Sequence, residues 1–132
     1  MITLVWPGGE HSFALRLGEL RALQGACDAG PEQILNRILI GAWRVDDIIE
    51  TIRLGLIGGG MPDRDARDLV RRMTEGEERR GLLAYRQLAL QIIMASLSAD
   101  PDDPLGERTG ASAAPPQNGD SAASTALEQP SD

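Results

Sequence analysis

A chain of 132 residues with a net charge of −7 has room for one small domain. Its single cysteine, Cys27, excludes an intrachain disulfide and a cysteine-based metal site, and its single histidine, His11, excludes a histidine cluster for zinc or iron. The charge is uneven: seven acids and one arginine from Asp100 onward carry −6, leaving residues 1–99 at −1 with no basic stripe, so no nucleic-acid partner is expected.

Residues 2–17 read as a hairpin. Ile2, Leu4 and Trp6 alternate with Thr3 and Val5, the turn residues Pro7, Gly8, Gly9 and Glu10 follow, and Phe13, Leu15 and Leu17 alternate with Ser12, Ala14 and Arg16. Two strands alone are marginal in water, so their apolar face must lie on helices. The spacing predicts a first helix over about 18–29, with Leu17, Leu20, Leu23 and Cys27 inward and Gly30 as its stop. Pro31 suits the first turn of a second helix over 32–40, which buries Ile34, Leu35, Ile38 and Leu39 and ends at Gly41.

The third helix, 46–58, opens on Asp46, Asp47 and Glu50, acids that stabilise a helix start by roughly 0.3–1 kcal/mol each. Val45, Ile48, Ile49, Ile52 and Leu56 share one face. Gly55 is out of place in a helix interior: either another backbone packs against it, or the helix is unravelling toward Gly58, Gly59 and Gly60. That glycine run reads as a helix stop and flexible joint. A fourth helix over 63–75 takes Asp63 as its N-cap and Ala66, Leu69, Val70 and Met73 as its apolar stripe, and Gly76 closes it.

The last helix, 77–98, differs from the others. Twelve of the sixteen positions from Leu82 to Leu97 are apolar, so only a strip through Arg86, Gln87 and Gln91 stays wet. Either it is the central helix of the body, or it covers the core with one side and a partner protein with the other. It is too short and too polar to span a bilayer, and no basic-then-apolar leader opens the chain, so a soluble cytoplasmic protein without a membrane partner is expected. From Asp100 to Asp132 the Pro, Ser, Ala, Gly and Asp composition predicts an acidic disordered tail.

No catalytic, cofactor or metal site emerges. Asp46, Asp47 and Glu50, like Asp63, Asp65 and Asp68, sit where helix starts favour acids and lack the alternating-ligand loop of a calcium site. Gly58, Gly59 and Gly60 follow a helix rather than a strand, with no lysine beyond, so they do not form a phosphate loop. His11 reads as a surface strand residue and Cys27 as a small buried hydrophobe. Trp6 and Trp43 read as core residues. Excess hydrophobicity singles out Leu82, Leu83, Tyr85 and Leu90 as partner-contact candidates.

Three runs carry a resemblance to a known family: Gly9-Glu10-His11 with Phe13 and Leu15; Gly18, Leu20 and Leu23; and the most specific, Arg44 to Ile48 continuing through Ile52 to Gly60. Over about residues 9–98 the chain resembles the gene transfer agent tail family, labelled both tail assembly chaperone and tail tube protein. The fold expected is a mainly α body of four to five helices over 1–99 with the N-terminal hairpin. The resemblance implies a non-enzymatic assembly chaperone, without cofactor, that holds the tape-measure protein and recruits tail-tube subunits. The alternative is a structural tail tube or tail-end component retained in the particle. Arg53, Gly55 and Gly58 become partner-contact candidates through the matched motif, and self-association into a homo-oligomer stays open. A regulator whose acidic tail mimics nucleic acid is a remote third class.

Overall fold

The computed structural model describes residues 1–98; the acidic segment from Asp100, expected to be disordered, lies outside the described residues. The elements run β1 (Ile2–Trp6), β2 (Gly9–Phe13), α1 (Leu17–Cys27), α2 (Pro31–Leu39), α3 (Val45–Gly58), α4 (Asp63–Glu75), a 3₁₀ turn (Leu82–Tyr85) and α5 (Arg86–Leu97). The mainly helical class with an N-terminal hairpin is therefore what the chain adopts.

β1 and β2 pair antiparallel, Ile2 opposite Phe13, Leu4 opposite His11 and Trp6 opposite Gly9. Residues directly opposite share a face of the sheet, so these three pairs face the helices and Thr3, Ser12, Val5 and Glu10 face away. His11 thus belongs to the inner face rather than the surface. It is half-buried, and the Trp6 indole donates to its Nδ1 at 2.9 Å. Trp6 and Phe13 are buried, as expected of Trp6, while Trp43 is half-buried. The chain leaves the strand after Phe13, earlier than residue 17, and Leu15 is buried through a loop whose N–H donates to Ser96 Oγ at 3.1 Å.

The central helix is α3, not the last one. α1, α4, α5 and β2 all pack on it. Asp47, Ile48, Thr51, Ile52, Leu54, Gly55 and Leu56 are buried, positions that run almost around the helix. A helix touched on several sides needs small or apolar residues on each of them. α5, by contrast, buries Leu88, Ala89, Ile92 and Ile93 on α2 and α3 and turns its other side outward.

Several boundaries shift for identifiable reasons. Residues 77–81 are not helical: Glu77 and Glu78 are exposed, Gly81 precedes the 3₁₀ turn, and Tyr85 reaches back to close α4, its hydroxyl donating to the Met73 carbonyl at 2.7 Å. α1 stops not at Gly30 but at Asp28, which takes the left-handed conformation (φ 51°) that aspartate tolerates better than most residues. Gly30 instead precedes α2, whose first residue is Pro31. The residue before α4 is Pro62, and Asp63, inside the helix, is engaged by Arg53 and Arg67. Leu17, Val45 and Leu39, expected inward, are exposed because each is the first or last residue of its helix and projects past the neighbour that would cover it.

Candidate docking surface

After Arg86, α5 carries no formal charge. Arg86 itself is engaged elsewhere, donating to the carbonyls of Ile38 (3.0 Å) and Leu39 (2.9 Å) and so closing the C-terminal end of α2. Between β1 and α5 lies a hollow of about 570 Å³ lined by Ile2, Thr3, Leu4, Gln87, Leu90, Gln91 and Met94. A second, of about 500 Å³, lies between α2 and α5 and is lined by Pro31, Glu32, Leu35, Met94, Leu97 and Ser98. Met94, 45% exposed, belongs to both and makes them one continuous face. Glu32 is its sole charged lining residue. Ile2, Leu4, Leu35, Leu90, Met94 and Leu97 make this face suited to burying apolar matter.

The residues expected to contact a partner are scattered by the fold. Leu90 lines the face, and Leu83, 71% exposed, stands on the 3₁₀ turn just ahead of it. Leu82 is half-buried. Tyr85 is fully buried, held by the bond to Met73 and by an edge-on contact with Trp6. Tyr85→Phe should therefore cost about 1 kcal/mol of stability, the net worth of a buried hydrogen bond, in urea unfolding, and should leave the outer face unchanged. Arg53 lines neither hollow. It donates to Glu50 at 2.6 Å and to Asp63 at 3.0 Å, fastening α3 to the start of α4.

Gly55 and Gly58 are spent inside the domain. The Gly55 carbonyl accepts the Ala14 N–H at 3.0 Å, and a Cβ there would stand 3.1 Å from Ile92 and 3.3 Å from Phe13. A Cβ on Gly58 would collide with the Ala14 carbonyl, and one on Gly59 with that of Ser12. So the first reading of Gly55 holds: another backbone does pack close. The glycine run is a seat for the end of β2 rather than a flexible joint. Met94, Leu97, Leu35, Ile2 and Leu4 complete the outer face without having been singled out. One signal was available: Gln87, Leu90, Met94 and Leu97 repeat at the alternating three- and four-residue spacing of a helix seam.

The acids at the start of α3 divide between two roles. Asp46 is exposed, whereas Asp47 is fully buried, accepting the Arg44 N–H at 2.8 Å and a two-pronged Arg37 guanidinium at 2.9 and 2.6 Å. Arg37 went unrecognised because its partner is ten residues away across a loop. Cys27 is a buried thiol whose Sγ contacts the Asp46 carbonyl at 3.4 Å; burial, with the Asp47 carboxylate nearby, pushes it up to about 12. In the folded protein Cys27 should resist thiol reagents at neutral pH and react once denaturant is added. The linkage also has a sign. Below the ordinary thiol range both states keep the proton. Above it the unfolded chain ionises first, so stability should fall as pH rises from there to about 12. Among the described residues no group of three or more His, Cys, Asp or Glu is placed to hold a metal ion.

A family model described as "Phage tail tube protein, GTA-gp10" matches residues 1–99, three quarters of the chain. The chain belongs to this family. The match spans the hairpin, the α3 motif with its glycine seat, and the whole uncharged face of α5. The GTA-gp10 family is one of structural tail proteins, not enzymes, and this chain is a gene transfer agent or phage-type tail protein. Comparison with curated proteins and with solved structures gives no significant match. Among the described residues no helix is long and apolar enough to cross a membrane.

Proposed function

We propose that this chain is a structural component of a phage-like tail, retained in the particle and joined to neighbouring tail proteins through the face shared by β1, α2 and α5. The observation that carries this is the mainly apolar strip centred on Met94, with Glu32 as its one charged lining residue. The family's description as a tube protein favours residence in the particle. An apolar face of two joined hollows suits a protein partner, whose side chains fill them and exclude water.

A second reading is favoured by the architecture. Among the described residues the only sheet is one two-stranded hairpin, little material for the wall of a tube. A small helical protein with an elongated apolar face suits an assembly chaperone, which would hold an amphipathic helix of the tape-measure protein and leave before completion. Quantitative mass spectrometry of purified particles beside the producing-cell lysate separates the two. A fixed copy number per particle supports the structural role. Abundance in the lysate with absence from particles supports the chaperone. Met94→Glu puts a charge on the face at a position open to water, so it should leave the melting curve nearly unchanged while blocking particle assembly. Normal particle yield with this variant would remove the face from either role.

A further inference from the structure

The two edges of the hairpin are treated differently by the fold. In an antiparallel pair, residues alternate between bonding to the partner strand and pointing their N–H and C=O outward. The outward set on β2 is identified by its neighbours: the Ser12 carbonyl faces Gly59, and just past the strand the Ala14 N–H donates to the Gly55 carbonyl. The end of α3 therefore closes that edge. Ser12 stands opposite Thr3, and Glu10 opposite Val5, so Thr3 and Val5 point their backbone groups outward from the other edge. No protein group among the described residues meets them. The strand Ile2–Trp6 has no charged side chain, proline or bulge to guard this edge, and Val5 is 79% exposed.

We propose that β1 is a dimerisation edge, occupied by β1 of a second copy of this chain in antiparallel register about a two-fold axis at Leu4. Thr3 of each copy then pairs with Val5 of the other, which satisfies all the outward N–H and C=O groups of both residues. No like charges meet, because the strand has none. The hollow beside this strand decides the occupant. Residues opposite one another point to the same face, so Leu4 of both copies, and with it both α5 helices, lie on one side of the joined four-stranded sheet. Each copy thereby brings its Leu90 and Met94 toward the other's hollow between β1 and α5. A lone extended peptide would satisfy the edge but leave that hollow wet. The patch is self-complementary, as a two-fold interface requires. The second copy would occupy the β1 side of the face assigned to tail contacts, leaving the hollow between α2 and α5 for another protein; dimerisation is measured without particles, so either reading can fail alone.

The test is sedimentation velocity of the full chain across a concentration series, with hydrogen exchange at the Thr3 and Val5 amides. The wild type should sediment as a dimer with both amides protected. Val5→Pro removes an N–H that the hairpin does not use, and edge strands tolerate proline in that orientation. The change acts twice across the axis, so two hydrogen bonds are lost and dimerisation should weaken about tenfold to a hundredfold. Met94→Glu should give the same loss from the other side of the hollow, with far-UV circular dichroism of both variants matching the wild type. A wild type that stays monomeric with freely exchanging Thr3 and Val5 amides overturns the proposal and leaves the edge to a strand from another protein. Two folded variants that dimerise as tightly as the wild type overturn it equally.

Discussion

Gly58→Ala should lower the melting temperature by at least about 12 °C, or prevent folding altogether. Its new methyl would point into the carbonyl of Ala14, a backbone group that cannot change rotamer to make room. Overpacking costs about 1–3 kcal/mol even where flexible side chains can yield, and here the neighbour is rigid, so about 3 kcal/mol is a floor. At about 4–8 °C per kcal/mol for a domain of this size, that is a large part of the whole melting range. Gly25→Ala is the control: a methyl there meets nothing within 4 Å, and α1 gains helix propensity, so stability should rise by up to about 1 kcal/mol. Differential scanning calorimetry of the two variants decides the matter. Similar small effects from both would mean that β2 does not seat on Gly58. The consequence reaches the functional face, because the hairpin resting on this seat forms one wall of the hollow beside α5.

The second large effect is expected at Arg37. Removing its side chain in Arg37→Ala strands Asp47, a carboxylate with no exposure to water, with the Arg44 N–H as its remaining partner. Breaking one side of such a pair costs about 3–5 kcal/mol, far more than the pair contributes over a well-packed apolar replacement. Asp47→Asn keeps an oxygen for the Arg44 N–H, so the double variant Arg37→Ala with Asp47→Asn should recover at least about 1 kcal/mol relative to the sum of the single changes. Urea unfolding of the four proteins supplies the cycle. A cost below about 1 kcal/mol for Arg37→Ala would show that water reaches Asp47 readily. Because Arg37 ties α2 to α3, its loss should also loosen the wall made by Pro31 and Leu35, and partner binding should suffer with stability.

The fold was legible where local signals agreed. Proline at the start of α2 and the stripe Ala66, Leu69, Val70 and Met73 each rest on interactions within a few residues, and each stands in the structure as read; the hairpin stands too, though Gly9 and Glu10 belong to its second strand rather than its turn and that strand ends at Phe13. The last helix was misjudged at its start because Glu77 to Gly81 offers no opposing apolar period, and the bond that stops helix formation there joins Tyr85 to a different helix. Of the candidate surface, the excess hydrophobicity of α5 was visible, but not which half of it would face outward. Leu90 was caught and Met94 and Leu97 were not: the seam spacing groups them with Gln87 and Leu90, but Ile92 and Ile93 are equally apolar, and spacing alone does not say which stripe faces outward.

Helix number, hairpin, the burial of Cys27 and the acids at helix starts follow from composition and spacing, because propensity, capping and periodicity act over a single turn or strand. The choice of α3 as the central helix, the burial of Asp47 against Arg37 and the use of three glycines as a seat arise from contacts between segments far apart in the chain. Their energies depend on distances that no spacing rule contains: a carbonyl too close to a glycine for any Cβ, and a guanidinium within 3 Å of a carboxylate. The open edge of β1 belongs to this second class as well. Both edges have the same backbone chemistry, and the packing of α3 against one of them leaves the other free.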